Sequence, residues 1–409
     1  MATAIRAPRV SNHARWMVLL LGAAVFINYV DRGNLATAGP LIKTELNLTN
    51  TEFGLLISAF FWTYTPAQLI AGWLSQRFCA YRVLAGGLAI WAVATMATGL
   101  VGGFAALLVL RLILGLGESV VFPVASKLAA DHLPPERYGQ ANALTAMGLS
   151  FGPAFGIYAG GLLMASQGWR LSFIIFGAVS LFWLIPWLSL KRDAPRIHDD
   201  AGPSPTLAQV IARPQAWAAA VGHLCTNYAF YFMLAWLPLY LVKTQGFTLP
   251  QMAALGGFVY LLQGVTAMAS GLIADRWIAA GATANRARKT IMVTAMLGTT
   301  ICMAAIGMGT MQVAIGGLIL SGVFTGMSSS NIYALGQTLA GPRASGTWIG
   351  FQNCVGNFSG IVAPALTGWL VDHAGGFGAA FGVAAAVALF GVLCWGVLIG
   401  RIEPVRWSD

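Results

Sequence analysis

Apolar residues along the 409-residue chain fall in runs of about 20 or more, enough for a helix to cross a hydrocarbon layer roughly 30 Å thick. The pattern predicts spans near 16–39, 52–75, 82–101, 104–128, 138–165 and 171–190, then 214–242, 250–274, 289–309, 312–339, 346–371 and 378–400. Between the two sets lies a break, 191–213, rich in proline and carrying Lys191, Arg192, Arg196, Asp199, Asp200 and Arg213. The fold expected is an all-α membrane protein with twelve transmembrane helices in two six-helix bundles. The first bundle covers 1–190, a cytoplasmic linker 191–213 and the second bundle 214–409.

Charge sets the expected orientation, because Lys and Arg near span ends stay on the cytoplasmic side. If the amino terminus is inside, Arg32, Lys43, Arg111, Arg170 and Lys243 are the only basic residues outside the cytoplasmic segments. Both termini are therefore expected in the cytoplasm of a multi-pass protein of the inner (plasma) membrane. Arg6, Arg9 and Arg15 precede the first run as they would in a signal sequence, but eleven similar runs follow and Asp31-Arg32 interrupts the first, so it reads as an uncleaved helix.

Composition agrees. Hydrophobic residues make up 57% of the chain and charged ones only 9%, with a mean hydropathy of +0.73. Soluble domains carry roughly 25% charged residues, so a soluble enzyme, a secreted disulfide module and a disordered chain are excluded. The net charge of +10 fits inside-facing loops better than a nucleic-acid partner. Cys79, Cys225, Cys302, Cys354 and Cys394 show no C-x-x-C spacing and read as small core residues. His13, His132, His198, His223 and His373 are dispersed, without helical metal-ligand spacing; His223 alone lies within a span, as a core or a pore-facing residue. No phosphate-binding loop is present and Gly115-x-Gly117 lies inside a span, so neither ATP hydrolysis nor a dinucleotide cofactor is implied.

Asp31, Arg32, Arg111 and Glu118 lie deep within apolar runs, where insertion scales charge about 2.5 to 3.5 kcal/mol for an Asp, Lys or Arg at a helix centre. Residues 111 and 118 are two turns apart and share a helix face, separated by about 10.5 Å of rise. Tyr29 and Arg32, three apart, also share a face. One reading is a buried ionic lock that only fixes helix packing, although such pairs are often no more stable than hydrophobic replacements. The other gives the groups separate jobs. Arg32 keeps its charge and offers a planar fork to an anionic carboxylate. Asp31 and Glu118, poorly solvated, can exchange a proton near neutrality, and Arg111 can couple that exchange to binding by pairing with either acid.

The halves repeat internally, as in transporters built from related halves around a midplane site. Gly72-Trp73-Leu74-Ser75-Gln76-Arg77 follows the second span and Gly271-Leu272-Ile273-Ala274-Asp275-Arg276 the eighth. The fifth and eleventh spans share Gly/Pro-rich interiors, Gly148, Gly152, Pro153, Gly156 and Gly160 against Gly356, Gly360, Pro364 and Gly368, suited to close helix approach and bending.

With these loops and the two-by-six layout, the chain resembles the major facilitator superfamily. Tyr29-Val30-Asp31-Arg32-Gly33-Asn34-Leu35, the run Arg111 to Glu118, Phe230-Tyr231-Phe232 and Trp236-Leu237-Pro238 resemble its anion:cation symporters, such as the bacterial D-galactonate and hexuronate carriers. The resemblance implies Asp31 and Glu118 as proton sites with Arg111 as their basic companion, and Arg32 as the ligand of the substrate carboxylate. It also implies substrate contacts from Tyr29, Tyr64, Ser330, Tyr333 and Asn353. Tyr64 reads equally as an interface aromatic. Asn331, Asn357, Asn227, Tyr228 and Gln263 compete with the second-half residues, and any of these amides can instead bond across helices. Two departures stand out: Gln76 replaces the usual Asp and Cys79 the usual Gly of the first-half loop, leaving gating to Asp275-Arg276. The Gly148-x-x-x-Gly152-Pro153 pattern is also frequent in antiporters of the superfamily, which keeps an export reading open.

The function expected is proton-coupled symport of a small organic anion, a sugar acid before an aromatic carboxylate, by a monomer with no cofactor beyond the proton. A proton-driven exporter of the same fold is the alternative; Arg32 and Arg111 argue against the cationic or apolar cargo it would carry. A transport-inactive sensor would bind substrate without flux.

Overall fold

The computed structural model describes residues 11–133, 138–190 and 205–407, and among them it is helical with no strand. The first half comprises α1 (Asn12–Leu46), α2 (Asn50–Arg77), α3 (Ala80–Thr98), α4 (Phe104–Glu118), α5 (Val121–His132), α6 (Tyr138–Phe182) and α7 (Leu184–Ser189). The second comprises α9 (Pro214–Leu239), α10 (Leu249–Ala279), α11 (Ala284–Met308), α12 (Met311–His373) and α13 (Phe377–Leu393). Between them α8 (Leu207–Ile211) forms within the expected linker, whose residues 191–204 lie outside the described ones, as do Arg6 and Arg9.

Helix covers each of the twelve expected spans, differently divided. Two of them join into α6, whose arms meet at Gly168 (φ 77°), and two more into α12, whose arms meet at Gly341 (φ 68°). Left-handed backbone there costs glycine nothing and lets the chain reverse within about one residue. Conversely, the fourth run, expected to be one helix, breaks after Glu118. Pro123 cannot donate to the Ser119 carbonyl and its ring crowds that oxygen, so the helix restarts at Val121. Pro186 stands in the same relation to Phe182, where α6 stops.

Glycines in the first arm of α6 bring it against α1. A Cβ on Gly152 would stand 2.6 Å from the Tyr29 Cβ and 2.8 Å from the Phe26 carbonyl oxygen, so only glycine permits this approach. The Gly-Pro pattern therefore has a packing role here, holding Tyr29 to Arg32 in place.

The two halves close together at the face where α1 ends and α2 begins, the face away from the described ends of the chain. At the end of α12 the Asp372 carboxylate accepts from the Thr51 amide (2.7 Å), the Thr51 hydroxyl (2.6 Å) and the Asn50 side-chain amide (2.7 Å). Lys243 donates to the Thr44 hydroxyl at 3.1 Å. Deeper in, Phe53 packs edge-on to Trp236, and Gly54 lies directly under the Pro364 carbonyl. A Gly54→Val substitution is expected to wedge this end open. In a cysteine-free background, a cysteine at Ile57 should then label faster with an impermeant maleimide from that face; unchanged labelling would contradict the closure.

Candidate functional site

Two first-half helices, α1 and α4, carry the intramembrane charges to one place. Asp31 and Arg32 sit near the middle of α1, Arg111 on α4, and Glu118 on its last residue before the proline break. Gly115 lets α4 press onto the α2 backbone at Phe60 and Tyr64, which brings Arg111 and Glu118 beside those rings.

All four charged groups are buried. The Arg32 Nε donates to Glu118 Oε2 at 3.0 Å. Its guanidinium lies 4.6 Å from the Tyr29 ring centroid, 4.4 Å from that of Tyr64 and 5.0 Å from that of Phe60. Such cation–π contacts clamp the planar group without consuming its donors. Both terminal nitrogens of Arg32 lack a protein hydrogen-bond partner, as do the Arg111 Nε, Glu118 Oε1 and Asp31 Oδ2. Asp31 Oδ1 accepts from the Asn34 side chain at 3.1 Å. Arg111 lies within electrostatic range of Glu118, Arg32 and Asp31, with its guanidinium 5.3 Å from the Phe60 ring centroid.

Arg32 and Arg111 border a cavity of about 20 Å³, room for a single water, at the junction of the halves. Arg32, Phe60, Phe61 and Arg111 line it from the first half, and Tyr231, Leu234, Ala235 and Pro364 from the second. A buried donor left without a partner costs about 1 to 3 kcal/mol, and more when charged. An unsatisfied guanidinium facing a cavity between two bundles is therefore a place for an anion.

Of the residues predicted from sequence, Tyr29, Arg32, Tyr64, Arg111 and Glu118 come together here, with Asp31 one residue along. Tyr333 interacts electrostatically with Arg32 and Tyr64 from the other half, and its hydroxyl donates to Asn353 Oδ1 at 3.2 Å. Ser330 stands apart, its hydroxyl 3.1 Å from that of Ser270 on α10. It belongs to a chain of polar contacts in which Asn331 meets Arg288 (3.3 Å) and Arg288 binds Asp275 (2.8 Å). Thus the second-half loop motif is tied to α11; the Gln76 side chain of the first copy lies outside the described residues.

Several site residues escaped the sequence reading. Tyr231 faces Arg32 and donates to Asn357 at 2.8 Å, and Phe60 and Phe61 wall the cavity. A ring within an apolar run carries no signal that separates lining from core. Asn28 and Asn34 were legible in principle: with Asp31 they recur every three residues in an apolar helix, and they contact Glu118 and Asp31. His223 is buried with its ring edge-on to Tyr333 at 5.5 Å. The dispersed His13 and His132 meet in space with rings 5.5 Å apart, beside Tyr81. Among the described residues no His/Cys/Asp/Glu cluster has the arrangement of a metal site.

Comparison with known proteins gives concordant matches. A family model described as Major Facilitator Superfamily matches residues 21–364 and 278–409. A probable sulfoacetate transporter of Cupriavidus necator is 30% identical over 89% of this chain and 90% of its own. The hexuronate transporter of Bacillus subtilis is 27% identical over 95% and 94%. Among solved structures, a bacterial homologue of the human lysosomal transporter Spinster, in an inward-facing conformation, superposes with a TM-score of 0.76 over 95% of this chain and 96% of its own at 18% identity.

Proposed function

Because the chain belongs to the Major Facilitator Superfamily, we propose that it takes up a small organic anion, a sugar acid such as a hexonate or hexuronate, together with protons, by rocking two bundles about the Arg32–Arg111 cavity. Relatives named for hexuronate and sulfoacetate transport support an anionic cargo. The observation that carries the reading is the pair of unpartnered, buried Arg32 terminal nitrogens at the bundle interface. Their planar fork matches a carboxylate.

Proton coupling follows from charge balance. Asp31, Glu118, Arg32 and Arg111 sum to zero when ionised, and a carboxylate bound among them adds one negative charge in a poorly solvated place. Burying an uncompensated charge is costly; taking a proton onto Asp31 or Glu118 restores neutrality. Tyr29, Tyr64, Tyr333, Asn353 and, after the Ser270 contact opens, Ser330 would serve the hydroxyls of the cargo. Termini in the cytoplasm, bundles over 1–190 and 214–409 joined by 191–213, a monomer in the inner membrane: each belongs to this proposal, and the basic-residue bias supports the orientation.

Aromatic carboxylates are the second reading, favoured by the rings of Tyr29, Phe60, Phe61, Tyr64 and Tyr231 around the guanidinium. Proteoliposomes separate the possibilities. Under the proposal an inside-alkaline gradient drives accumulation of labelled glucuronate or galactonate without added sodium, and unlabelled benzoate does not compete. Failure of the gradient to drive uptake of any carboxylate would sink symport, and benzoate uptake would select the second reading.

A further inference from the structure

On the outer flank of the second bundle, a groove of about 970 Å³ runs between α11 and α13 and shares no residue with the central cavity. Its walls are Val293, Leu389, Phe390, Leu393 and Val397. At the end where α11 begins, Arg286, Lys289 and Thr290 form a polar rim, and among the described residues no acidic one lines the groove. Arg286 and Thr290 are exposed. Lys289 is held upright by donating to the Gly400 carbonyl at 2.9 Å, which leaves two ammonium protons for another ligand.

Exposed apolar residues are expected on any helix facing lipid. A concave apolar track that ends in two cations is more specific. From Ala386 on α13 to Val397 in the π-helical turn that continues it (Cys394–Leu398), the wall is about 16 Å long at an α-helical 1.5 Å per residue, close to half of a roughly 30 Å hydrocarbon core. The groove therefore has the depth of one leaflet, with its charges at headgroup level. Basic pockets between transmembrane helices at that level suit anionic headgroups.

We propose that this groove binds one anionic phospholipid, with its phosphate against Arg286, Lys289 and the Thr290 hydroxyl and one acyl chain along Leu389, Phe390, Leu393 and Val397. A zwitterionic lipid would fill the same track and gain less from the rim.

The test is native mass spectrometry of the full-length protein in detergent, titrated separately with palmitoyl-oleoyl phosphatidylglycerol and phosphatidylcholine. The expected result is a single retained phosphatidylglycerol, outcompeting phosphatidylcholine. In an R286Q/K289Q variant its affinity should fall about 30-fold while phosphatidylcholine binding stays unchanged, and R286K/K289R should keep the preference. Gly396→Leu fills the track next to Val293 without altering charge, and should expel the acyl chain and abolish the single adduct. Equal phosphatidylglycerol retention by wild type and R286Q/K289Q would overturn the proposal. So would competition by glycerol phosphate as effective as that by the intact lipid, which would mark a soluble-phosphate site.

Discussion

Arg32→Gln is expected to abolish anion binding, with a loss of affinity of 100-fold or more measured by calorimetry on detergent-solubilised protein. Three features make this residue decisive. Its Nε is committed to Glu118 at 3.0 Å, its face is packed by Tyr29, Tyr64 and Phe60, and its terminal nitrogens stay free. Every donor that can serve a ligand is thus already oriented before the ligand arrives. Removing one member of a buried charge pair costs about 3 to 5 kcal/mol, and the carboxylate fork is lost with it. Arg32→Lys retains charge but not the planar fork, and should fall between the two. Wild-type affinity in Arg32→Gln would remove the residue from the binding site.

Asp31→Asn is expected to abolish accumulation against a gradient while leaving exchange of labelled for unlabelled substrate intact. Asparagine can still accept from Asn34 through its own carbonyl, so the local bond at 3.1 Å survives and only the titrating group is lost. Glu118→Gln removes a titrating group and also the ionic partner of Arg32, so it should lose proton-driven uptake and weaken binding together. The contrast separates the two acids: one purely coupling, the other coupling and positioning. If both variants retain uptake driven by a pH gradient, the proton sites lie elsewhere.

The spans and the four intramembrane charges were readable because each is costly to place otherwise: an apolar run in water, or a charge in hydrocarbon. Which charge meets which was not. Arg111 and Glu118 share a face of one helix by spacing, yet the bonded partner of Glu118 is Arg32 on another helix, brought near by the Gly115 contact between α2 and α4. Pairing across helices depends on packing angles that no single helix encodes. The second-half residues were harder still. Ser330, Tyr333 and Asn353 look alike as polar groups in apolar runs, and only the structure separates the hydroxyl beside Ser270 from Tyr333, which interacts with Arg32, and Asn353, which accepts from Tyr333. The helix break after Glu118 was not readable either: α1, α2 and α6 run through Pro40, Pro66 and Pro153, so Pro123 alone does not mark a stop.

A constriction that admits a single water behaves as an electrical insulator. With one face shut by Asp372, Gly54 and Pro364, the space beside Arg32 is only about 20 Å³, so an ion reaches the guanidinium from that face only when the bundles move. Each net charge carried across the membrane as the bundles rock is worth about 2.3 kcal/mol per 100 mV. A monoanion escorted by one proton would cross without current, and a second proton would make transport an electrical load, so the current per molecule counts the protons directly.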